Sequence, residues 1–89
     1  MPARTVRIIN EKGLHARASA KFVECVEGFE AGCEVRREGM AAPGNSIMGL
    51  LMLGAHCGTE IEIEATGPDA EALLAALEAL VADRFGEEM

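Results

Sequence analysis

One segment of the chain alternates strictly between acidic and apolar residues, from Glu60 through Ile61, Glu62, Ile63 and Glu64 to Ala65. Successive side chains of a strand point to opposite faces, so this pattern predicts a strand with one face on the core and one in water. Residues 5–9, 33–37 and 40–42 predict three further strands, and each has a single apolar face. A sheet of this kind is mostly antiparallel and must be covered by helices on one side only.

Three segments have helical apolar spacing. They cover residues 16–27, residues 47–53, and a last helix that Gly67-Pro68-Asp69 opens and Gly86 stops. Their order with the strands is βαββαβα. We therefore predict an α+β fold, an open-faced β-sandwich in which a four-stranded, mostly antiparallel sheet carries three helices on one face. At 89 residues the chain is expected to form a single domain, residues 1–89.

The charge of the chain bears on which partners it can bind. A formal net charge of -7 argues against nucleic acid as a partner, because binding of nucleic acid depends on clustered Lys and Arg.

The chain has three cysteines, without CxxC pairing, so we expect reduced thiols rather than a disulfide framework. No signal peptide, membrane segment or lipidation motif is recognisable, and we predict a cytoplasmic monomer with no membrane insertion.

The first candidate site lies where the first strand gives way to the first helix, at Gly13-Leu14-His15-Ala16-Arg17. Helix N-terminal amides lack intrahelical partners and attract anions. A histidine there offers a neutral, nucleophilic nitrogen near neutral pH, and Arg17 offers charge-assisted hydrogen bonds to a phosphoryl group. The backbone amides of Ala16 and Arg17 are the expected phosphate donors. Taken alone, the His-x-Arg spacing is a weak signal, and it is far more typical of a polar helix cap followed by a solvated arginine.

The second candidate site is the short apolar helix that follows Ser46. Ser46 is expected to be its N-cap, with Leu50 and Leu53 in the core. Because a small domain covers only one side of such a helix, Ile47, Met48 and Leu51 are expected to form an exposed stripe that suits protein partners. Phosphorylation of Ser46 would place negative charge beside that stripe. The neighbouring His56-Cys57 pair lacks metal-ligand spacing, and we predict neither a metal nor a cofactor.

These two motifs, at this separation and in a chain of this length, resemble the histidine-containing phosphocarrier protein HPr of the bacterial phosphotransferase system and its nitrogen-branch relatives. The resemblance implies that His15 accepts a phosphoryl group from phospho-Enzyme I, itself charged by phosphoenolpyruvate, and donates it to an EIIA-type protein. It implies that Arg17 steadies the phosphoryl group and that Ser46 is the regulatory site of an HPr kinase/phosphorylase. Ile47, Met48 and Leu51 would then belong to the docking surface. The family's fold agrees with the one predicted above.

The chain departs from the family at three positions. Ala18 stands where proline is usual, Asn45 precedes Ser46 where lysine is frequent, and Lys12 replaces a small polar residue. Loss of the proline is expected to loosen the first turn slightly without removing a donor. The resemblance leaves open whether the chain serves sugar or nitrogen transport.

The sequence is also compatible with two alternative functions. In the first, the chain is a regulatory protein-interaction module whose partner choice is set by phosphorylation of His15 or Ser46. In the second, it is a small cysteine or metal hydrolase, although no nucleophile with a positioned base is visible. Under both the carrier hypothesis and the interaction-module hypothesis, the chain is expected to bear a phosphoryl group and not to act as a stand-alone enzyme.

Overall fold

The computed structural model describes residues 2–88. Its four strands and three helices follow the predicted βαββαβα order and end in a short 3-10 turn. The strands are β1 (Ala3–Arg7), β2 (Gly32–Arg37), β3 (Met40–Pro43) and β4 (Glu60–Thr66), the helices are α1 (Ala16–Glu27), α2 (Ile47–Met52) and α3 (Ala70–Ala82), and the turn is Arg84–Gly86.

The sheet has the strand order β1-β4-β2-β3, and every neighbouring pair is antiparallel. Its register places Val6 opposite Ile61, and Val35 opposite Ile63. Apolar side chains therefore share one face of the sheet, while the glutamates of β4 lie on the other face. This arrangement confirms the open-faced sandwich predicted from the alternating pattern.

The core lies between that face and the three helices. Its buried members come from each element, and the two predicted core residues of the α2 segment, Leu50 and Leu53, are among them. Most of the largest fully buried side chains are aliphatic, as the shortage of aromatic residues requires; those with the greatest volume are Phe22, Phe85, Ile8, Leu50, Leu53 and Ile61. Burial of this apolar surface is the main stabilising contribution to the fold.

Strand boundaries differ from the prediction by one or two residues. β1 begins and ends two residues early, because Ala3 already pairs with Glu64. Ile8 still faces inward, and its backbone continues the pairing: its N–H donates to the carbonyl of Thr59 at 2.8 Å. β3 extends one residue beyond the predicted strand 40–42 and ends at Pro43, since it is an edge strand, where proline is tolerated.

The carboxyl-terminal end departs most from the prediction. α3 ends at Ala82 rather than running to Gly86. Arg84 and Phe85 adopt left-handed backbone conformations, with φ of 55° and 54°, and so reverse the direction of the chain. The reversal buries Phe85 completely and returns Glu87 toward the start of α1. The acidic stretch that begins at Glu87 is therefore anchored there by its contact with His15. Met89 lies outside the described residues.

Candidate functional site

His15 is the N-cap residue of α1. Its backbone is extended, with φ of -80° and ψ of -176°, and its carbonyl accepts the first helical hydrogen bond from the Ser19 amide at 2.8 Å. The amides of Ala16, Arg17 and Ala18 precede that bond, and within residues 2–88 none of them donates to a backbone carbonyl. The predicted helix start at Ala16 is confirmed, and His15 directly precedes three free N–H donors. Such donors and the positive end of the helix dipole favour an anion.

The loop that carries His15 is fixed from beneath by backbone contacts. Gly13 has a φ of +67°, and the next amide, that of Leu14, donates to the carbonyl of Ala55 at 2.8 Å. A Cβ at Gly13 would lie only 2.6 Å from that carbonyl oxygen. The buried Asn10 donates through Nδ2 to the Gly13 carbonyl at 2.8 Å. The close approach of two backbone segments thus requires glycine directly before the motif.

The His15 ring is held through one of its two nitrogens. Nε2 is hydrogen-bonded to Oε2 of Glu87, and the other oxygen of that carboxylate accepts from Asn10 Nδ2 at 3.0 Å. If Nε2 carries the proton and donates to the carboxylate, the lone pair is on Nδ1. Nδ1 has no hydrogen-bond partner among residues 2–88, and 27% of the side chain is exposed. The ring is therefore accessible to a visiting protein.

The carboxylate of Glu87 is stabilised in its charged form. Its hydrogen bonds from Asn10 and then from His15 lower its pKa below the ordinary value of 4.5, with a smaller contribution from the charge of Lys12. Only 17% of the side chain is exposed. Glu87 is therefore a fixed negative charge on the Nε2 side of the ring.

Arg17 projects from the first turn of α1 into solvent. Within residues 2–88 its guanidinium makes no hydrogen bond or ion pair, so its donors remain available. It lines a cleft of about 260 Å³ together with Glu11, Lys12, Glu87 and Glu88. His15 lines an adjoining depression, and Lys12 borders both. The two predicted residues are thus on neighbouring surfaces that Lys12 and Glu87 connect, rather than in one pocket.

Ser46 is the N-cap of α2, as predicted. Its Oγ accepts a hydrogen bond from the amide of Gly49 at 3.0 Å. The side chain is half-buried, and it directly precedes the exposed residues of the helix.

The apolar stripe of α2 is only partly as predicted. Ile47 and Met48 are exposed, at 40% and 69%, whereas Leu51 is half-buried. Leu51 lines the same depression as His15, so it brings α2 beside the ring. The most exposed large apolar residue is Met52, at 76%, which the sequence interpretation did not single out. Its spacing of four residues from Met48, on the same helix face, is the signal that identifies it.

The comparisons with known proteins agree with this geometry. The family described as PTS HPr component phosphorylation site matches residues 2–83. The chain belongs to the HPr family of the phosphotransferase system. It is 44% identical to phosphocarrier protein HPr of Cupriavidus necator, with 98% of each chain covered, and 45% identical to phosphocarrier protein NPr of Escherichia coli K12, with 96% of each covered. The crystal structure of HPr-C-His from Thermoanaerobacter tengcongensis superposes with a TM-score of 0.95 at 36% identity and full coverage of both chains.

Two residues that contact the site, Asn10 and Glu87, were not identified from the sequence. Asn10 carries a weak local signal, since it is a polar residue that ends an apolar strand. Glu87 carries none, because it lies 72 residues from His15 along the chain and only the reversal after α3 brings the two together. Within residues 2–88 no group of three His, Cys, Asp or Glu side chains is arranged around a metal ion, and no helix there has the length and apolarity that crossing a bilayer requires.

Proposed function

We propose that this HPr-family protein accepts a phosphoryl group on His15 from phospho-Enzyme I, which is charged by phosphoenolpyruvate, and passes it to an EIIA-type protein. The observation that carries the proposal is the position of the His15 ring. It is an accessible imidazole with an unpartnered Nδ1, at the N-terminus of α1 beside free amide donors. A carrier that draws on phosphoenolpyruvate would act in the predicted cytoplasmic location.

In the accepting step, Nδ1 attacks phosphorus in line with the donor bond. The N–P bond forms with the ring lone pair as the bond to the donor atom breaks, and the donor keeps that electron pair. The three equatorial oxygens carry the developing charge. The amides of Ala16 and Arg17, and the Arg17 guanidinium after a side-chain rotation, are the donors that would stabilise them.

The donating step reverses this chemistry with a nucleophile of the next protein. For that transfer to be productive, water must not attack first. The carboxylate in contact with the ring already accepts hydrogen bonds on both oxygens, from His15 and from Asn10. It is therefore poorly placed to deprotonate water, and the protein contributes mainly position and electrostatics.

Docking of Enzyme I and of EIIA-type proteins is proposed to use α2. Its exposed Ile47 and Met48 offer adaptable apolar contacts, and Leu51 lies in the depression that also exposes His15. A partner that covers the ring would therefore also cover this helix. The predicted monomeric state leaves both surfaces free.

A second function, regulation through Ser46, is favoured by its position as the N-cap of this docking helix. A phosphoryl group on Ser46 would suit the helix terminus but would place a dianion next to Ile47. An HPr kinase/phosphorylase would then change partner choice without touching His15. Pull-downs with unmodified, His15-phosphorylated and Ser46-phosphorylated protein test this proposal, and identical partner sets for all three forms would refute it.

The carrier proposal is tested by incubation with phosphoenolpyruvate and Enzyme I. We expect an acid-labile phosphoprotein, its absence in His15→Ala, and its retention in Ser46→Ala. A subsequent addition of an EIIA-type protein should discharge the label to that protein. Labelling of His15→Ala to the wild-type extent would overturn the assignment.

A further inference from the structure

We propose that Lys12 is a second cationic ligand of the phosphoryl group that His15 carries. In this proposal the group lies in the depression that His15 and Lys12 both line, and the ammonium of Lys12 donates to its oxygens. The inference deepens the proposed function and rests on it, because it concerns the phosphorylated form of His15. It assigns a phosphate-binding side chain to a position where the family usually has a small polar residue.

Lys12 is held close to the motif by the backbone. It is the third residue of a turn, which a hydrogen bond from the Gly13 amide to the Asn10 carbonyl closes at 3.1 Å. Asn10 is fully buried, and its side chain also donates to the Gly13 carbonyl at 2.8 Å. The backbone of Lys12 is therefore fixed three residues before His15, while its side chain is exposed and can follow a phosphoryl group.

The ammonium group of Lys12 is free to bind a ligand. Within residues 2–88 it makes no hydrogen bond and no ion pair, whereas the only other lysine, Lys21, donates to the Phe85 carbonyl at 2.6 Å. The charge of Lys12 contributes to the lowered pKa of Glu87, whose carboxylate contacts the His15 ring. The ammonium is thus near enough to the ring to stabilise a further negative charge on it.

The depression beside the ring favours an anion. Its volume is about 270 Å³, and Leu51 of α2 forms part of its wall. Within the described part of the chain, its ionisable lining residues are Lys12, His15 and His56, and none of them is a carboxylate. A phosphoryl group on the ring would therefore meet a cation there without meeting a negative side chain.

The cleft that Arg17 lines is less suited to a phosphoryl group. Its volume is about 260 Å³, and three carboxylates line it, those of Glu11, Glu87 and Glu88. They repel a group that carries about two negative charges, and so they favour its position on the side of the depression. Lys12 borders both surfaces, which makes it the cation available on that side even while Arg17 remains in its cleft.

A lysine is chemically suited to a group that must be passed on. Its ammonium is a compact charge with three donors, and hydrogen bonds between charged partners are stronger than neutral ones. Because Lys12 is exposed, water and salt screen the interaction and keep it modest. The contact therefore stabilises the phosphorylated carrier without preventing transfer to the next protein.

The first experiment observes Lys12 directly by NMR. Because the chain has two lysines, protein labelled with ¹³C and ¹⁵N in lysine gives two side-chain Nζ resonances. After phosphorylation with phosphoenolpyruvate and Enzyme I, we expect the Lys12 resonance to shift and the Lys21 resonance to stay in place, since Lys21 is held by the Phe85 carbonyl. An unchanged Lys12 resonance in protein whose His15 is fully phosphorylated would overturn the proposal. Absence of any phosphoryl group on His15 would instead refute the carrier function, and the inference with it.

The second experiment measures how strongly each carrier holds the phosphoryl group. Equal amounts of wild-type and Lys12→Met protein receive limiting phosphoenolpyruvate and a catalytic amount of Enzyme I, which equilibrates the group between them. Native mass spectrometry at neutral pH then gives the share of each phosphorylated form. We expect wild type to hold about threefold more than Lys12→Met, as for loss of a charge pair at an exposed site. Equal shares would contradict a contact between Lys12 and the phosphoryl group.

Two further variants control for net charge and for side-chain shape. Arg7→Gln removes one positive charge on the opposite face of the sheet, where 64% of the side chain is exposed, and it should share the group equally with wild type. Lys12→Arg keeps a cation and should recover most of the wild-type share. A loss in Arg7→Gln as large as that in Lys12→Met would assign the effect to net charge and overturn the proposal. A Lys12→Arg protein that holds no more than Lys12→Met would overturn it as well.

Discussion

Substitution of Gly13 by alanine tests how tightly the motif is held against the rest of the fold. The position has a φ of +67°, and an added Cβ would meet Ala55 O at 2.6 Å and His56 Cα at 2.8 Å. Both atoms belong to backbone, so no flexible side chain can move aside. Gly54 provides a matched control, since its φ is +64° and its nearest neighbour, a nitrogen of Arg37, lies at 3.9 Å.

Comparison of Gly13→Ala with Gly54→Ala separates the cost of backbone strain from the cost of steric overlap. Left-handed backbone at alanine costs about 1–2 kcal/mol, and Gly54→Ala should lose only that amount of unfolding free energy. In Gly13→Ala the loop must also withdraw from Ala55, which breaks the 2.8 Å hydrogen bond from the Leu14 amide. Loss of that bond with a buried polar group left unpaired adds about 1–3 kcal/mol. We therefore expect a total near 3–4 kcal/mol for Gly13→Ala.

Urea unfolding followed by circular dichroism measures both values in parallel. In the folded fraction of Gly13→Ala, the displaced loop should also slow phosphorylation of His15, while Gly54→Ala should be phosphorylated at the wild-type rate. Equal losses of unfolding free energy for the two variants would refute the reasoning, because the overlap with the Ala55 segment would then contribute nothing.

Three further predictions follow from the same contacts. Ser46→Ala should lower the unfolding free energy by about 1 kcal/mol, because the Gly49 amide loses its cap, whereas Ser46→Asp should restore most of it in urea titrations. Met48→Asp should weaken Enzyme I binding in calorimetry without lowering the unfolding free energy, since the side chain is 69% exposed; a destabilised variant would contradict the surface assignment. Glu87 has a lowered pKa, so its contribution to stability is present above the ordinary glutamate value of 4.5 and is lost as pH falls through the lower folded value. The stability difference between wild type and Glu87→Gln should therefore narrow in acid, and a difference that widens there would oppose the assigned contacts.

The sequence was sufficient to predict those features that depend on neighbouring residues alone. The alternation around Ile61 and Ile63 fixes which face of β4 is buried, because a strand has a period of two. The bounds of α1 agree with the predicted helix 16–27, since apolar spacing is a property of the helix itself. The cap at Ser46 is another local property, and the structure confirms it.

The parts that could not be predicted depend on contacts between distant segments. Nothing near Glu87 indicates that its carboxylate contacts His15, because the contact exists only after Phe85 is buried and the chain reverses. Leu51 is half-buried rather than exposed, and it lines a depression together with Lys12, Leu14 and His15 from a distant part of the chain. Helical periodicity continues past Ala82 in the sequence, yet the burial of Phe85 outweighs it and ends α3 early.

The central claim is that an accessible nitrogen of His15, at the start of α1, takes the phosphoryl group. The most direct measurement is phosphorus–nitrogen NMR on protein that contains ¹⁵N-labelled histidine and has been phosphorylated with phosphoenolpyruvate and Enzyme I. We expect one phosphorus resonance with a one-bond coupling to Nδ1 of His15. Phosphorus coupled to His56, or to neither histidine, would contradict it.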